Sequence, residues 1–140
     1  MKIQKVLFVC TGNTCRSPMA EYYFNGAAIG ITAESCGLRA EYGSRMSANA
    51  VKALNICDPA HKSRQVSAAI LKECDLIYGM TVHHEARLKE DFPEFADKIS
   101  SMPSDVGDPY GGDLEVYEQC FENIKKSVDI IIQSLTVGGQ

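Results

Sequence analysis

The stretch VLFVCTGNTCRSP, residues 6–18, decides the fold of this chain. Its first four residues are apolar without interruption, which is typical of a strand in a parallel sheet covered on both faces. Cys10 ends the predicted strand, and residues 11–15 form a short loop. Ser17 and Pro18 predict a helix start, because Ser is a favoured N-cap and Pro is tolerated in a first turn. A strand therefore runs directly into a loop, and the loop into a helix N-terminus.

The composition is that of an ordinary globular protein. With 45% hydrophobic and 23% charged residues, we expect one domain spanning residues 1–140. The formal net charge of −4 argues against a nucleic-acid partner, since phosphate backbones are bound by clustered Lys and Arg. No signal-peptide pattern and no apolar run of membrane-spanning length occur, so we expect a cytoplasmic protein with no membrane partner.

The remaining chain alternates predicted strands with predicted helices. Strands are expected at residues 5–10, 31–36, 75–80 and 98–100, and helices at about 18–29, 48–54, 67–73, 81–91 and 114–135. Ser44 or Ser47 would cap the second helix and Asp58-Pro59 would close it, while residues 137–140 would fray. The segments 37–46, 60–66 and 102–113 are expected to be loops or connectors. This order predicts an α/β fold, a small doubly wound four-stranded parallel sheet with helices on both faces.

The cysteines and histidines do not predict a disulfide framework or a metal site. The cysteines are scattered and no C-x-x-C pair occurs. His83 and His84, at a predicted helix start, are expected to lie on the surface. We therefore expect no metal and no cofactor, and mostly small buried thiols, at Cys10, Cys15, Cys36, Cys57, Cys74 and Cys120.

The loop after the first strand predicts an anion site that contains a nucleophile. The N–H groups of residues 11–16 can turn inward around a phosphate, while Gly12 tolerates strained torsions. The Arg16 guanidinium can add two parallel hydrogen bonds to phosphate oxygens. Among these donors Cys10 is expected to be a thiolate, which would attack phosphorus and form a phosphocysteine. The Ser17 hydroxyl would donate to the sulfur and stabilise it as a leaving group in the second step.

A second segment supplies the proton for the leaving group. Asp108 lies in the sequence DPYGG, residues 108–112, within a loop rich in Gly and Pro that can fold over the site. Its carboxyl group would donate a proton in the first step and accept one from water in the second. Asp105 is the alternative acid.

These motifs together resemble the low-molecular-weight protein tyrosine phosphatase family. The pattern Val-Cys-x5-Arg-Ser-Pro near the N-terminus, with Asp-Pro-Tyr near the C-terminus, is similar to that family in both spacing and order. The resemblance extends over nearly the whole chain, since residues 19–21, Ser35, His61 and residues 64–66 also fit. It implies the family's fold, phosphorylated protein substrates, and a monomer or weak dimer.

The resemblance also implies a role for each matching residue. Cys10 would be the nucleophile, Arg16 the clamp on the phosphate and the transition state, and Asp108 the acid and then the base. Cys15 would be the redox partner that traps an oxidised Cys10 as a disulfide. Further roles are phosphate binding at Thr11, Gly12, Asn13, Thr14, Cys15 and Ser17, loop support at Asn13, Ser17, Ser35 and His61, and pocket walls at Tyr110 and, from the loop 37–46, Tyr42.

The phosphorylated residue is left open between phosphotyrosine and phosphoarginine. Many members that act on phosphotyrosine carry an aliphatic residue where this chain has Thr14. A bacterial branch that removes phosphate from phosphoarginine is similar to this chain in its Thr-Gly-Asn-Thr loop and its Asp-Pro-aromatic-Gly-Gly segment. The Thr14 hydroxyl suits a polar guanidinium, and Gly111 leaves less aromatic wall for a phenyl ring. Each difference is worth about 1–3 kcal/mol of discrimination.

Two functions of other kinds fit the sequence less well. A thiol-coupled arsenate reductase resembles this fold, but it needs two further cysteines in a mobile segment, and residues 80–92 contain none. A phosphopeptide-binding module with a vestigial loop would be expected to have lost the cysteine, the arginine or the aspartate, and all three are present.

Overall fold

One parallel sheet of four strands forms the centre of the molecule. The computed structural model describes residues 2–57 and 59–138. The sheet order is β2-β1-β3-β4, and every neighbouring pair is parallel, as predicted. The strands are β1 (Lys5–Cys10), β2 (Thr32–Gly37), β3 (Leu76–Gly79) and β4 (Ile99–Ser101).

Five α-helices cover the sheet, and serine and threonine side chains cap three of them. They are α1 (Arg16–Ala27), α2 (Ala48–Leu54), α3 (Ala68–Glu73), α4 (Val82–Asp91) and α5 (Leu114–Gly138), and a 3-10 turn spans Pro93–Lys98. The side chains of Ser47, Ser67 and Thr81 accept hydrogen bonds from first-turn N–H groups, and Ser47 is one of the two predicted caps of α2. In the part of the chain that the structure describes, no helix is long and apolar enough to cross a bilayer.

Strand β1 is buried on both faces, as its uninterrupted apolar sequence predicts. Val6 and Phe8 pack into one core with buried residues of α1, α2 and α5, whereas Leu7 and Val9 pack into a second core with residues of α3 and α4. The alternation follows from the two-residue repeat of a strand. The two cores fix β1 in the middle of the fold, so its carboxyl end delivers Cys10 to a defined position.

Helix α1 begins earlier than the sequence predicts. Its first residue is Arg16 rather than Pro18, and the N-cap is Cys15, whose side chain makes no capping hydrogen bond. Ser17, expected to cap the helix, lies inside the first turn because its hydroxyl group bonds to Asn13 and Cys10 instead. The helix therefore directs its first-turn N–H groups toward the loop without a side-chain cap.

Two other predicted features differ from the structure, and part of a further two lies outside the residues that it describes. The connector 60–66 is not a plain linker, because Gln65 pairs with Gly37, the last residue of β2, and Lys62 pairs with Arg45. Helix α5 continues to Gly138, past the predicted end at residue 135. Asp58, expected to help close α2, lies outside the described residues, as do positions 139–140 of the tail that was expected to fray.

Gly37 allows the end of β2 to approach the loop after β1. A Cβ atom at this position would lie 2.5 Å from the carbonyl oxygen of Thr11 and 3.1 Å from the backbone nitrogen of Asn13. Both neighbours are backbone atoms of the loop, so a side chain could be accommodated only by moving the loop itself. Glycine is thus required at position 37, because the backbones of β2 and of the loop after β1 lie too close together for a side chain between them.

We predict that Gly37→Ala lowers the free energy of unfolding by about 1–3 kcal/mol, because its methyl group overlaps the loop backbone. Gly26→Ala is the matched control, since a Cβ atom at position 26 of α1 would meet nothing within 4 Å. The control is expected to raise the free energy of unfolding by about 0.5–1 kcal/mol through helix propensity. Urea denaturation of both variants checks this, and equal stabilities would contradict the proposed clash.

Candidate active site

A cavity of about 220 Å³ opens at the carboxyl end of β1. This is the edge of a parallel sheet at which ligands bind in folds of this class. The sequence predicts every one of its lining residues as part of the site: Cys10, Thr11, Gly12, Asn13, Thr14, Cys15, Arg16, Asp108 and Tyr110.

The thiol of Cys10 and the hydroxyl of Ser17 are in direct contact. Cys10 Sγ lies 2.9 Å from Ser17 Oγ, and both residues are buried. Ser17 Oγ also lies 3.4 Å from the carbonyl oxygen of Cys36 on β2. Ser17 reaches the sulfur because α1 starts at Arg16, which turns the second residue of the helix back toward the end of β1.

Asn13 shapes the loop with both its backbone and its side chain. Its φ of 59° lies in the left-handed region, where Asn is tolerated better than most residues. The fully buried side-chain amide donates to Ser17 Oγ at 2.8 Å and to Ser35 Oγ at 2.9 Å. Its Oδ1 accepts from the backbone N–H of Arg64 at 3.0 Å, and its carbonyl oxygen lies 2.8 Å from His61 Nε2. The structure thus brings together all four residues of the predicted support network.

The hydrogen bonds of this network have a defined direction. The Arg64 N–H can only donate, so it fixes which end of the Asn13 amide is the oxygen. Ser35 donates to Glu21 Oε1 at 2.5 Å, and it can therefore accept from Asn13. Ser17 accepts from the same amide, so its one proton is free for another acceptor, and the sulfur of Cys10, at 2.9 Å, is nearer than the carbonyl oxygen of Cys36, at 3.4 Å. The network thus orients a hydrogen-bond donor toward the thiol.

Glu21 and Arg64 are functional candidates beyond the predicted site. Burial raises the pKa of Glu21, while the Ser35 hydrogen bond and the nearby His61 and Arg64 oppose that shift. Arg64 donates from Nε to the carbonyl oxygen of Ser35 at 2.9 Å and pairs with Glu34 at 2.6 Å. Glu21 follows the loop by one helical turn, and this spacing, with the fit of residues 19–21 to the family, is the sequence signal that it could reach the network.

Arg16 and Asp108 meet at the cavity. Arg16 Nη1 donates to the carbonyl oxygen of Val106 at 3.1 Å, and Nη2 lies 3.7 Å from Asp108 Oδ2. The Arg16 side chain is 7% exposed, whereas that of Asp108 is 56% exposed. The guanidinium is therefore held in place below the opening, and the carboxyl group stands at the mouth, where a leaving group would depart.

Asp105, the alternative acid, has a different position. Its Oδ1 accepts from the backbone N–H of Val82 at 3.0 Å, at the first residue of α4. It does not belong to the residues that line the cavity. The carboxylate at a helix N-terminus is a favourable arrangement in itself, and it accounts for Asp105 without a catalytic role.

The two predicted wall tyrosines are placed differently. Tyr110 lines the cavity and is 82% exposed, next to Asp108, whose Oδ1 accepts from the Tyr110 N–H at 3.1 Å. Tyr42 is 86% exposed in the loop between β2 and α2, and the cavity lining does not include it. The structure therefore provides one aromatic wall rather than two.

Cys15 lines the cavity, and its sulfur lies among hydroxyl groups. Its Sγ is 3.4 Å from Ser47 Oγ and 3.5 Å from the hydroxyl oxygen of Tyr117. Burial raises the pKa of Tyr117 to about 12, so this hydroxyl keeps its proton. All six cysteines are free thiols in this structure. The redox role of Cys15 stays a prediction.

His84 corrects the expectation of a surface histidine. It is only 3% exposed, and its Nε2 lies 3.0 Å from Thr11 Oγ1. Burial, helped by the positive charge of Arg16, lowers the pKa of His84 to about 4, so its ring is neutral at neutral pH. His83, the neighbouring residue, is exposed as expected. Among the described residues, no group of three or more His, Cys, Asp or Glu could hold a metal ion.

Comparison with known proteins agrees with this geometry. The sequence profile of the low molecular weight phosphotyrosine protein phosphatases matches residues 5–139. A protein-arginine-phosphatase of Geobacillus stearothermophilus is 33% identical over 94% of this chain and 95% of its own length. The structure of YwlE arginine phosphatase from the same organism superposes with a TM-score of 0.90 at 32% identity, over 96% of this chain and 94% of that one.

A tyrosine phosphatase structure is equally similar in fold. The low molecular weight protein tyrosine phosphatase from T. tengcongensis gives a TM-score of 0.89 at 38% identity, over 94% of this chain and 99% of that one. These matches confirm the predicted fold and the predicted reaction class. The chain therefore belongs to the low molecular weight phosphotyrosine protein phosphatase family and is a cysteine-dependent protein phosphatase of that family.

Proposed function

We propose that Cys10 is the nucleophile, Arg16 the phosphate clamp and Asp108 the acid and base of this phosphatase. The observation that carries the proposal is the contact of Cys10 Sγ with Ser17 Oγ, at 2.9 Å, inside a loop that shares its cavity with Arg16 and Asp108. Cys10 and Arg16, the first residue of α1, line the same cavity, so a phosphate attacked by the sulfur would lie at the N-terminus of that helix.

The first step transfers the phosphoryl group to the sulfur. The Cys10 thiolate forms a bond to phosphorus while the bond from phosphorus to the substrate side chain breaks. Asp108 gives its proton to the departing atom at the mouth of the cavity, where its carboxyl group is exposed. Arg16 and the loop N–H groups balance the negative charge on the phosphoryl oxygens.

The second step releases inorganic phosphate. Asp108, now a carboxylate, takes a proton from water as the water oxygen attacks phosphorus. The bond between sulfur and phosphorus breaks, and the Ser17 proton stabilises the sulfur anion that leaves. This restores the thiolate for the next cycle. The support network at Asn13, Ser35 and His61 holds the loop in the same conformation for both steps.

For the substrate we favour phosphoarginine in proteins. Thr14 lines the cavity as a half-buried residue, and its hydroxyl group is a hydrogen-bond partner that an aliphatic side chain would not offer. Asp108 stands where its carboxyl group can pair with a guanidinium and then protonate the departing nitrogen. Two of the curated relatives, from Geobacillus stearothermophilus and Bacillus subtilis, are named protein-arginine-phosphatases, at 33% and 31% identity, and they support this choice.

Phosphotyrosine in proteins is the second candidate. Tyr110 supplies an aromatic surface beside Asp108 that can stack on a phenyl ring. The T. tengcongensis relative, at 38% identity, is named a tyrosine phosphatase. The cytoplasmic location, the single domain, the lack of a nucleic-acid partner and the monomer or weak dimer stay predictions.

The proposed roles predict two distinct losses of activity. Cys10→Ser should abolish hydrolysis of para-nitrophenyl phosphate, because serine lacks a nucleophilic anion at neutral pH.

Asp108→Asn should slow the transfer step by about 10²-fold for phenyl phosphate and by less for para-nitrophenyl phosphate, since the second leaving group needs no proton. Asp105→Asn, which keeps its acceptor for α4, is the matched control with rates near wild type. Equal slowing of both esters by Asp108→Asn would assign the acid to another residue.

The substrate proposal predicts a shift in preference on changing Thr14. Turnover of matched phosphoarginine and phosphotyrosine peptides should favour phosphoarginine in the wild type. Thr14→Ile should move the ratio of kcat/KM toward phosphotyrosine by about tenfold, because isoleucine cannot form the hydrogen bond that the threonine hydroxyl offers to the guanidinium. Thr32→Ile, at an exposed position on β2, is the control for the side-chain change. An unchanged ratio in Thr14→Ile would remove Thr14 as a specificity residue.

A further inference from the structure

The junction between β3 and α4 contains a buried histidine that bonds in two directions. His84 is the third residue of α4, and its ring closes a capping box with Thr81. The backbone N–H of Thr81 donates to His84 Nδ1 at 3.2 Å, and the hydroxyl group of Thr81 accepts from the His84 backbone N–H at 3.3 Å. The opposite ring nitrogen, Nε2, reaches Thr11 Oγ1 at 3.0 Å.

These bonds determine which ring nitrogen carries the proton. A backbone N–H can only donate, so Nδ1 of His84 presents its lone pair to Thr81, whose hydroxyl oxygen also lies 2.9 Å from it. In the neutral ring the proton is then on Nε2, and it is donated to the hydroxyl oxygen of Thr11. Burial, together with Arg16, lowers the pKa of His84 to about 4, which keeps the ring in this neutral form.

The same junction holds the segment that carries the acid. Val82 donates its N–H to Asp105, and Val106 donates its N–H to the carbonyl oxygen of Met80 at 2.9 Å. Arg16 is bonded to the carbonyl oxygen of Val106 in turn. His84 adds the link from this junction to Thr11, which directly follows the nucleophile in sequence and lines the cavity with it.

The junction is packed too closely to shift easily. A Cβ atom at Gly79, the last residue of β3, would lie 2.7 Å from the backbone nitrogen of Glu85 and 2.8 Å from His84 Cβ. The first turn of α4 therefore rests against the end of the strand. The side chain of His84, which projects from this turn, is therefore held in a fixed position relative to the loop after β1.

We propose that His84 is a positioning residue of the phosphatase site, which fixes Thr11, and so the start of the nucleophile loop, relative to the segment that carries Asp108. This inference rests on the proposed roles of Cys10 and Asp108. His84 touches neither of them; it acts through the hydroxyl group of Thr11.

Two substitutions of His84 separate its two bonds. In His84→Asn the shorter amide can still accept from the Thr81 N–H, but it does not reach Thr11. In His84→Gln the longer amide can donate to Thr11. With para-nitrophenyl phosphate near neutral pH, we expect His84→Asn to lower kcat about five- to tenfold, the effect of one hydrogen bond, and to change KM by less than about twofold. His84→Gln should recover most of the loss, and His83→Asn, at the exposed neighbour, is the matched control with wild-type kinetics.

Thr11 tests the same bond from its other end. Thr11→Val keeps the shape of the side chain and removes the hydroxyl group, so it should lower kcat as His84→Asn does, and Thr11→Ser, which keeps the hydroxyl group, should lose less activity than Thr11→Val. The double variant Thr11→Val with His84→Asn should be no slower than the slower single variant, because both changes break one bond. Additive losses, or equal kcat for His84→Asn and His84→Gln, would reduce His84 to a helix cap and overturn the inference.

The design also distinguishes this inference from the proposed function. If Cys10→Ser retains activity, the proposed mechanism fails, whatever the His84 variants do. If Cys10→Ser is inactive while His84→Asn and Thr11→Val both keep wild-type kcat, only the positioning role is overturned. Should His84→Asn fail to fold, Thr11→Val decides alone, since the exposed position of Thr11 tolerates the change and an unchanged kcat would contradict the role.

Discussion

The catalytic loop depends on Asn13, whose backbone takes a left-handed conformation. Its buried side-chain amide makes hydrogen bonds through both its nitrogen and its oxygen. Such a φ is unfavourable for a residue with a side chain, and each buried hydrogen bond contributes only about 1 kcal/mol net. An unpaired buried amide costs more, about 1–3 kcal/mol, so the bonds to Ser17, Ser35 and Arg64 hold the loop in one conformation. Among the described residues, no buried side-chain nitrogen or oxygen atom lacks a partner.

The surrounding elements each provide one support for that conformation. Strand β1, fixed between two cores, delivers Cys10, and Gly37 lets β2 come close enough for Ser35 to reach Asn13. Helix α1 supplies Ser17 and Glu21, which orient the hydrogen bonds toward the sulfur. The junction of β3 and α4 carries His84 and anchors the acid segment. Catalysis thus combines residues that are distant in sequence but meet at one edge of the sheet.

The sequence predicts the local features of this arrangement well, and the long-range ones less well. Strand β1 and the cap at Ser47 follow from patterns within a few residues. Cys10 and Arg16 are also placed by a local pattern, whereas Asp108 is placed by the Gly- and Pro-rich loop that holds it and by the family resemblance, since no local pattern relates residue 108 to residue 10. His84 was mistaken for a surface residue because its burial depends on where α4 meets the loop. Ser17 was mistaken for a helix cap because its preferred local bond is replaced by bonds to Asn13 and Cys10.

The central claim is that the phosphoryl group passes through Cys10. Mass spectrometry of enzyme denatured during steady turnover of para-nitrophenyl phosphate tests it directly, because a phosphorylated residue can be located by fragmentation of the peptide that contains the loop. The account predicts one added phosphoryl group on Cys10, absent from enzyme denatured without substrate. A phosphoryl group on another side chain, such as Ser17 or His61, would contradict it.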